Sequence, residues 1–219
     1  MANNVFGNPI TEETLKVMPE YQIKRLDKAR VALSMKDVDE KSTNARTYVE
    51  QLRERYGPRI STRCLVYNAT GDMITFHASK DWYGHIEGAA PYPTVISNGQ
   101  WGAFLHVQTT TPLPLAGSNA AVVYRGLNNA GSECYWLLSW DNPFNRAGNK
   151  VYTEVRKAGA FDAAWDDICS ALESSTGTTV GISNGCVSRM TIGTDTSPIV
   201  EAILTLEHAE EPKPTTGHA

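Results

Sequence analysis

Between Asn98 and Asn145 the chain carries three apolar, aromatic-rich segments, NGQWGAFLHVQ, GSNAAVVYRG and SECYWLLSWDNPFN, divided by glycine and asparagine turns. Segments this short, rich in β-branched and aromatic residues and bounded by turn formers, read as strands rather than helices. They predict the centre of an antiparallel sheet that closes on an aromatic loop, Ser139 to Asn145. Such an architecture suits binding better than chemistry.

The pattern on either side extends that reading. Up to Gly57 and Pro58 the periodicity is helical: Thr11 is a candidate N-cap with Glu12 and Glu13 in a first turn, and Pro19 would open a second helix carrying Ile23, Leu26 and Leu33. The polar run Lys36 to Lys41 interrupts it, and Ser42 is placed to cap a third helix whose Ala45, Val49, Leu52 and Tyr56 share one face. After Pro58 the period falls to two. RCLVYN (63–68) and MITFHASK (73–80), joined by the turn ATGD, read as a hairpin. Further strands are expected over 101–108, 120–125, 134–140, 151–155, 186–192 and 199–208. One late helix is expected over 161–174, capped by Asp162, with Trp165, Ile168, Cys169 and Leu172 on one side. GTTVGISNG (177–185) reads as a loop, because it lacks a phosphate-binding lysine and follows a helix.

The expected organisation is a helical N-terminal segment (1–58) packed on a β-sandwich domain (59–209), with a disordered polar tail (210–219). At 219 residues such a chain buries a sizeable core without metals or disulfides. The four cysteines, at 64, 134, 169 and 186, show no CxxC spacing and are expected to be buried free thiols. A net charge of −4 gives no electrostatic footprint for nucleic acid. No signal-peptide pattern opens the chain and no stretch nears the roughly 20 apolar residues of a membrane span, so a cytoplasmic or nuclear location is expected. The Asn68-Ala69-Thr70 sequon would then go unused.

Candidate chemistry is sparse. The five histidines, at 77, 85, 106, 208 and 218, are scattered without metal-ligand spacing, so no metal or cofactor is expected. There is no GxSxG, and the adjacent Asp166 and Asp167 cannot share one face of a helix as an acid–base pair. No enzymatic activity is expected. The binding case rests on aromatics: Trp82, Tyr83 and Tyr92 lie in a turn-rich region, while Ser139, Trp140, Asp141, Asn142, Pro143, Phe144 and Asn145 lie at a strand end. Aromatic faces stack on sugars and settle at lipid head groups, and the Asp and Asn side chains hydrogen-bond hydroxyls or cationic groups. Trp101 and Trp136 are expected in the core.

Five stretches carry a family resemblance: NVFGNPIT (4–11), LVYNATGD (65–72), NGQWGAFLHV (98–107), VVYRG (122–126) and WLLSWDNP (136–143). Over nearly its full length the chain resembles the small jasmonate-induced proteins of plants. That resemblance implies a plant origin, induction by jasmonate or stress, and an intracellular location, and it supplies no mechanism. The order of elements is also similar to the actinoporin-like β-sandwich of sea-anemone cytolysins, aegerolysins and fungal fruit-body lectins. It implies a lipid head-group or sugar site around Ser139, Trp140, Pro143 and Phe144. The chain departs from the cytolysins at Arg146, Ala147, Gly148 and Asn149, where their aromatic cluster would continue, and in its charged, interrupted N-terminal region. The leading reading is a non-enzymatic stress-response protein binding a carbohydrate or lipid head group. A membrane-active defence toxin and a protein interaction module are the alternatives, with peripheral membrane contact and homo-oligomers as the corresponding partners.

Overall fold

A computed structural model of the chain describes residues 4–15, 22–109, 117–144, 148–161 and 164–210. The expected helix start at Pro19, the Asp162 cap, Asn145 and the tail beyond residue 210 lie outside them.

Two sheets face each other. The larger contains β1 (Val5–Phe6), β2 (Ser61–Ala69), β4 (His85–Ile86), β6 (Trp101–Val107), β10 (Thr178–Ser183), β11 (Cys186–Ile192) and β12 (Ile199–Leu206). Their order is β1-β6-β2-β12-β11-β10, with β4 also beside β6. The smaller contains β3 (Ile74–Tyr83), β5 (Val95–Ile96), β7 (Ser118–Leu127), β8 (Glu133–Asn142) and β9 (Lys150–Lys157), in the order β5-β3-β7-β8-β9. Neighbours are antiparallel except β2 and β12, which run parallel. The fold is therefore mainly β, a two-sheet sandwich with few helices.

Three expectations about the strands change. First, the three apolar segments do not form one sheet: β6 belongs to the larger sheet and β7–β8 to the smaller, so Phe104 meets Trp140 across the core, ring centroids 5.9 Å apart. Second, β2 and β3 are not a hairpin. The ATGD segment is a corner between sheets, held by the buried Asn68, whose amide donates to Asp72 O (2.8 Å) and Ile96 O (2.7 Å) and whose carbonyl accepts from Thr70. Gly71 is required there, since φ is +79° and a Cβ would stand 2.1 Å from Arg25 O. The Asn68 sequon is thus a structural device. Third, 178–183 is not a loop but strand β10, paired with β11 through a turn in which Asn184 and Gly185 both have positive φ. Asn-Gly between alternating apolar residues is a strong hairpin signal.

Helices cover both outer faces. α1 (Arg25–Ser34) and α2 (Lys41–Tyr56) lie on the larger sheet, where Ala32, Ala45 and Val49 pack against Leu65, Tyr67, Trp101 and Ala103. This explains why β2 is buried on both faces rather than alternating. Tyr67 donates to Ala32 O (2.6 Å) and Trp101 Nε1 to Lys36 O (3.0 Å), so each large ring satisfies its polar atom while burying its body. Lys41 is buried too, donating to Gly99 O (2.9 Å) and Tyr67 Oη (3.3 Å); burial pushes its pKa down. α2 stops at Gly57 (φ +94°) as expected, but it begins at Lys41 rather than behind a Ser42 cap. Thr11 does not cap a helix: through Leu15 the chain forms a turn in which Thr14 Oγ1 accepts from Thr11 N.

On the smaller sheet, among the described residues, lies one short helix, α3 (Trp165–Glu173). Ile168, Trp165 and Ala164 lie over Ala121, Val123, Tyr135 and Leu137. Cys64, Cys134 and Cys186 are buried free thiols, whereas Cys169 is half-buried at the helix.

Candidate functional site

Alternation along β8 divides the residues that the sequence grouped together. Trp136, Leu138 and Trp140 point into the sandwich, while Tyr135, Leu137, Ser139 and Asp141 point outward. Trp140 is 1% exposed and packs on Phe104 and His106. Ser139 is fully buried, donating to Tyr152 O (2.8 Å). Tyr92 stacks on Phe76 within the core at 5.5 Å. Its hydroxyl lies near the Asp81 carboxylate without hydrogen-bonding geometry, and burial drives its pKa far up. The expected single aromatic cleft is therefore not formed: Ser139 and Trp140 have almost no surface to offer, Tyr92 is half-buried against the core, and Trp82 and Tyr83 sit apart on the outer face. Trp82 is half-buried edge-on to Trp165, and Tyr83 is 58% exposed.

The remaining strand-end residues form a cleft of about 300 Å³ at one end of the sandwich. Asn142 and Pro143 line it with Gly148, Asn149, Thr194, Asp195 and Thr196, and Phe144 follows at 44% exposure. Several cross-links shape it. Asn142 Nδ2 donates to Ser61 O (3.1 Å) and Thr196 O (3.2 Å), and Asn149 Nδ2 donates to Gly193 O (2.8 Å) and Asp195 O (2.9 Å). Arg63 donates to Ser197 O (2.7 Å) and pairs with Glu50 and Asp195. At its base Gly117 is irreplaceable, because a Cβ would stand 2.0 Å from Asn142 O. The wall thus offers hydroxyls and carbonyls beside one carboxylate, and the exposed Phe144 follows Pro143 along the chain.

Behind the cleft runs a polar chain that no spacing in the sequence announces. Asp81 Oδ1 lies 3.2 Å from His106 Nε2, His106 Nδ1 lies 2.8 Å from Ser118 Oγ, and Ser118 Oγ lies 2.7 Å from Thr62 Oγ1. The Asp–His–Ser order imitates a catalytic triad. Ser118, however, is fully buried and its oxygen also accepts from Trp140 Nε1 (3.3 Å), so it has no surface from which to attack a substrate. Burial lowers the His106 pKa against the opposing pull of Asp81. The chain satisfies polar groups where the two sheets meet. Strand register pairs Thr62 with His106 on the larger sheet, but Asp81 and Ser118 reach them from the opposite sheet.

Among the described residues, no group of three or more His, Cys, Asp or Glu side chains could hold a metal ion. No helix there is long and apolar enough to cross a membrane.

Residues 6–207 match the family model described as Nakanori-like protein. The chain is 43% identical over 203 residues to the 23 kDa jasmonate-induced protein of Hordeum vulgare, covering 90% of this chain and 95% of the relative. It is 34% identical over 116 residues to a jasmonate-induced protein homolog of Atriplex canescens, covering 51% of this chain and 60% of the relative. Among solved structures it superposes on the lipid binding protein Nakanori with a TM-score of 0.81 at 27% identity, covering 91% of this chain and 98% of the other.

Proposed function

Because the chain belongs to the Nakanori-like protein family, we propose that it is a non-enzymatic, jasmonate-responsive protein that binds lipid head groups at the sandwich end where β8 leads towards β9. The observation that carries this reading is the cleft beside Phe144. An exposed aromatic ring and Pro143 stand next to a recess of hydroxyl, amide and carboxylate groups, which pairs an apolar contact for the membrane interface with polar contacts for a head group. Likeness to a lipid binding protein over nine-tenths of the chain supports the same class of ligand.

Perforation fits less well than peripheral binding. To insert, α1 and α2 would have to leave the larger sheet and expose Ala32, Ala45, Val49 and the rings of Tyr67 and Trp101. Liposome flotation tests the proposal. Wild-type protein should float with at least one of neutral, zwitterionic or anionic vesicles, and Phe144→Ser together with Asp195→Asn should reduce the bound fraction severalfold. No flotation at any composition would overturn it, and a positive glycan array under those conditions would move the cleft to carbohydrate.

A further inference from the structure

The hydrogen bonds of the buried polar chain all point one way. Asp81 Oδ1 lies 3.2 Å from His106 Nε2, and an ionised carboxylate only accepts, so Nε2 carries the ring proton and Nδ1 is an acceptor. Ser118 therefore donates to Nδ1 (2.8 Å), and its oxygen accepts from Thr62 Oγ1 (2.7 Å) and from Trp140 Nε1 (3.3 Å). Thr62 Oγ1 in turn accepts from Asn142 Nδ2 at 3.5 Å, the amide that also donates to Ser61 O and Thr196 O. Asn142 and Thr196 stand in the cleft wall, so the chain from His106 ends there.

A second proton on the ring must go to Nδ1, which then becomes a donor. Ser118 Oγ has two lone pairs and would face three donors, from His106, Thr62 and Trp140, while its own proton turns to His106 O at 3.4 Å. Thr62 is the donor that can turn away without moving a ring. Among the described residues its hydroxyl has one other hydrogen-bonding neighbour, the Asn142 amide, and that is also a donor. The ring has little room to swing out: Trp140 stands edge-on to it, centroids 5.3 Å apart, and a Cβ on Gly84 would lie 2.8 Å from His106 Cε1.

Burial disfavours the charged ring most strongly; Asp81 from β3 favours it, His85 from β4 opposes it, and the Tyr92 hydroxyl lies beside Asp81. Asp81, whose side chain is 38% exposed, joins the ring to solvent. We infer that His106 is a positioning residue for the cleft: its neutral ring orients the Ser118 and Thr62 hydroxyls so that Asn142 is held against Thr196, and a proton on Nδ1 reverses that orientation and releases Asn142. This step needs no lipid. Its consequence, weaker vesicle binding in acid, rests on the lipid reading of the cleft.

NMR of the full chain between about pH 8 and about pH 4 tests it. The Asn142 side-chain amide and the Trp140 indole signals should shift together with the His106 ring carbons, at one midpoint below about pH 6.5. Ser118→Ala should leave His106 titrating and abolish the Asn142 response, and Asp81→Asn should lower the midpoint. The wild-type titration decides even if a variant fails to fold. Flotation with phosphatidylcholine vesicles, with and without phosphatidylserine, should fall severalfold through the same midpoint for the wild type and stay constant for His106→Gln. Asn142 signals that stay fixed while His106 titrates, or an unchanged response in Ser118→Ala, would overturn the inference. Global unfolding before His106 titrates would do the same, because the proton would then act on the fold and not on the cleft. Constant flotation of wild-type protein whose Asn142 does respond would overturn the effect on binding. Failure to float at any pH removes the lipid reading, and the NMR titration then decides the switch by itself.

Discussion

The outer faces of the two sheets are covered to different extents. Over the larger sheet, α1 and α2 supply 26 helical residues that bury Leu65, Tyr67 and Trp101, and the ring polar atoms of Tyr67 and Trp101 donate to backbone carbonyls. Over the smaller sheet, the 9 residues of α3 shield Val123 and Leu137 and stop short of the strand ends. Beyond that cover Tyr83 is exposed, and so is Phe144, which follows Pro143 at the rim of a cleft. A long helical layer turns a sheet face into core, and a short one leaves surface for ligands.

That contrast can be broken most forcefully at Trp101. Trp101→Ala should cost about 3–5 kcal/mol, read as a lowered denaturation midpoint, because it leaves a cavity beneath α2 and orphans Lys36 O. Lipid binding of the folded fraction should not change. Asn68→Ala, at the corner that sends the chain from one sheet to the other, should cost about 1–3 kcal/mol by chemical denaturation, since Thr70 and two carbonyls lose their partner.

Beneath the thinner cover, Trp165→Ala should cost less than Trp101→Ala, because Trp165 is only half-buried; an equal loss would show α3 to be as structural as α2. His106 sharpens the contrast through pH. Its folded-state pKa lies below the ordinary value of about 6.5, so the unfolded chain takes up the proton first. This contribution to stability is fully present above pH 6.5 and is lost as pH falls from there towards the folded pKa. His106→Gln should flatten that part of a stability-versus-pH curve. The smallest effect belongs to Phe144→Ser, which should change stability by no more than about 0.5 kcal/mol while reducing vesicle flotation severalfold.

Much of the fold was legible in particular residues. Gly57 ended α2, Ala45, Val49 and Leu52 marked its buried face, and Cys186–Ile192 formed the expected strand. The corner at ATGD was not legible, because a turn between two strand-like segments looks the same whether the strands pair or part. What decided it was the burial of Asn68 against Asp72 and Ile96. Strand β10 was legible in Asn184-Gly185, but the glycine-rich stretch before it obscured the alternation. For the candidate sites, strand period correctly separates Trp140 from Asp141, yet it cannot say which side is core.

The sequence by itself determined the material: a mainly β chain with helices before it and one late helix. It also placed the polar and aromatic residues of β8 next to one another, since covalent order and a two-residue period are local properties. Only the tertiary structure decided their partners. Asn119 meets Asp141, Asp81 meets His106, and Asn142 meets Thr196 because strands from distant stretches of chain come together, and burial then forces each polar group to find a partner or wait for a ligand.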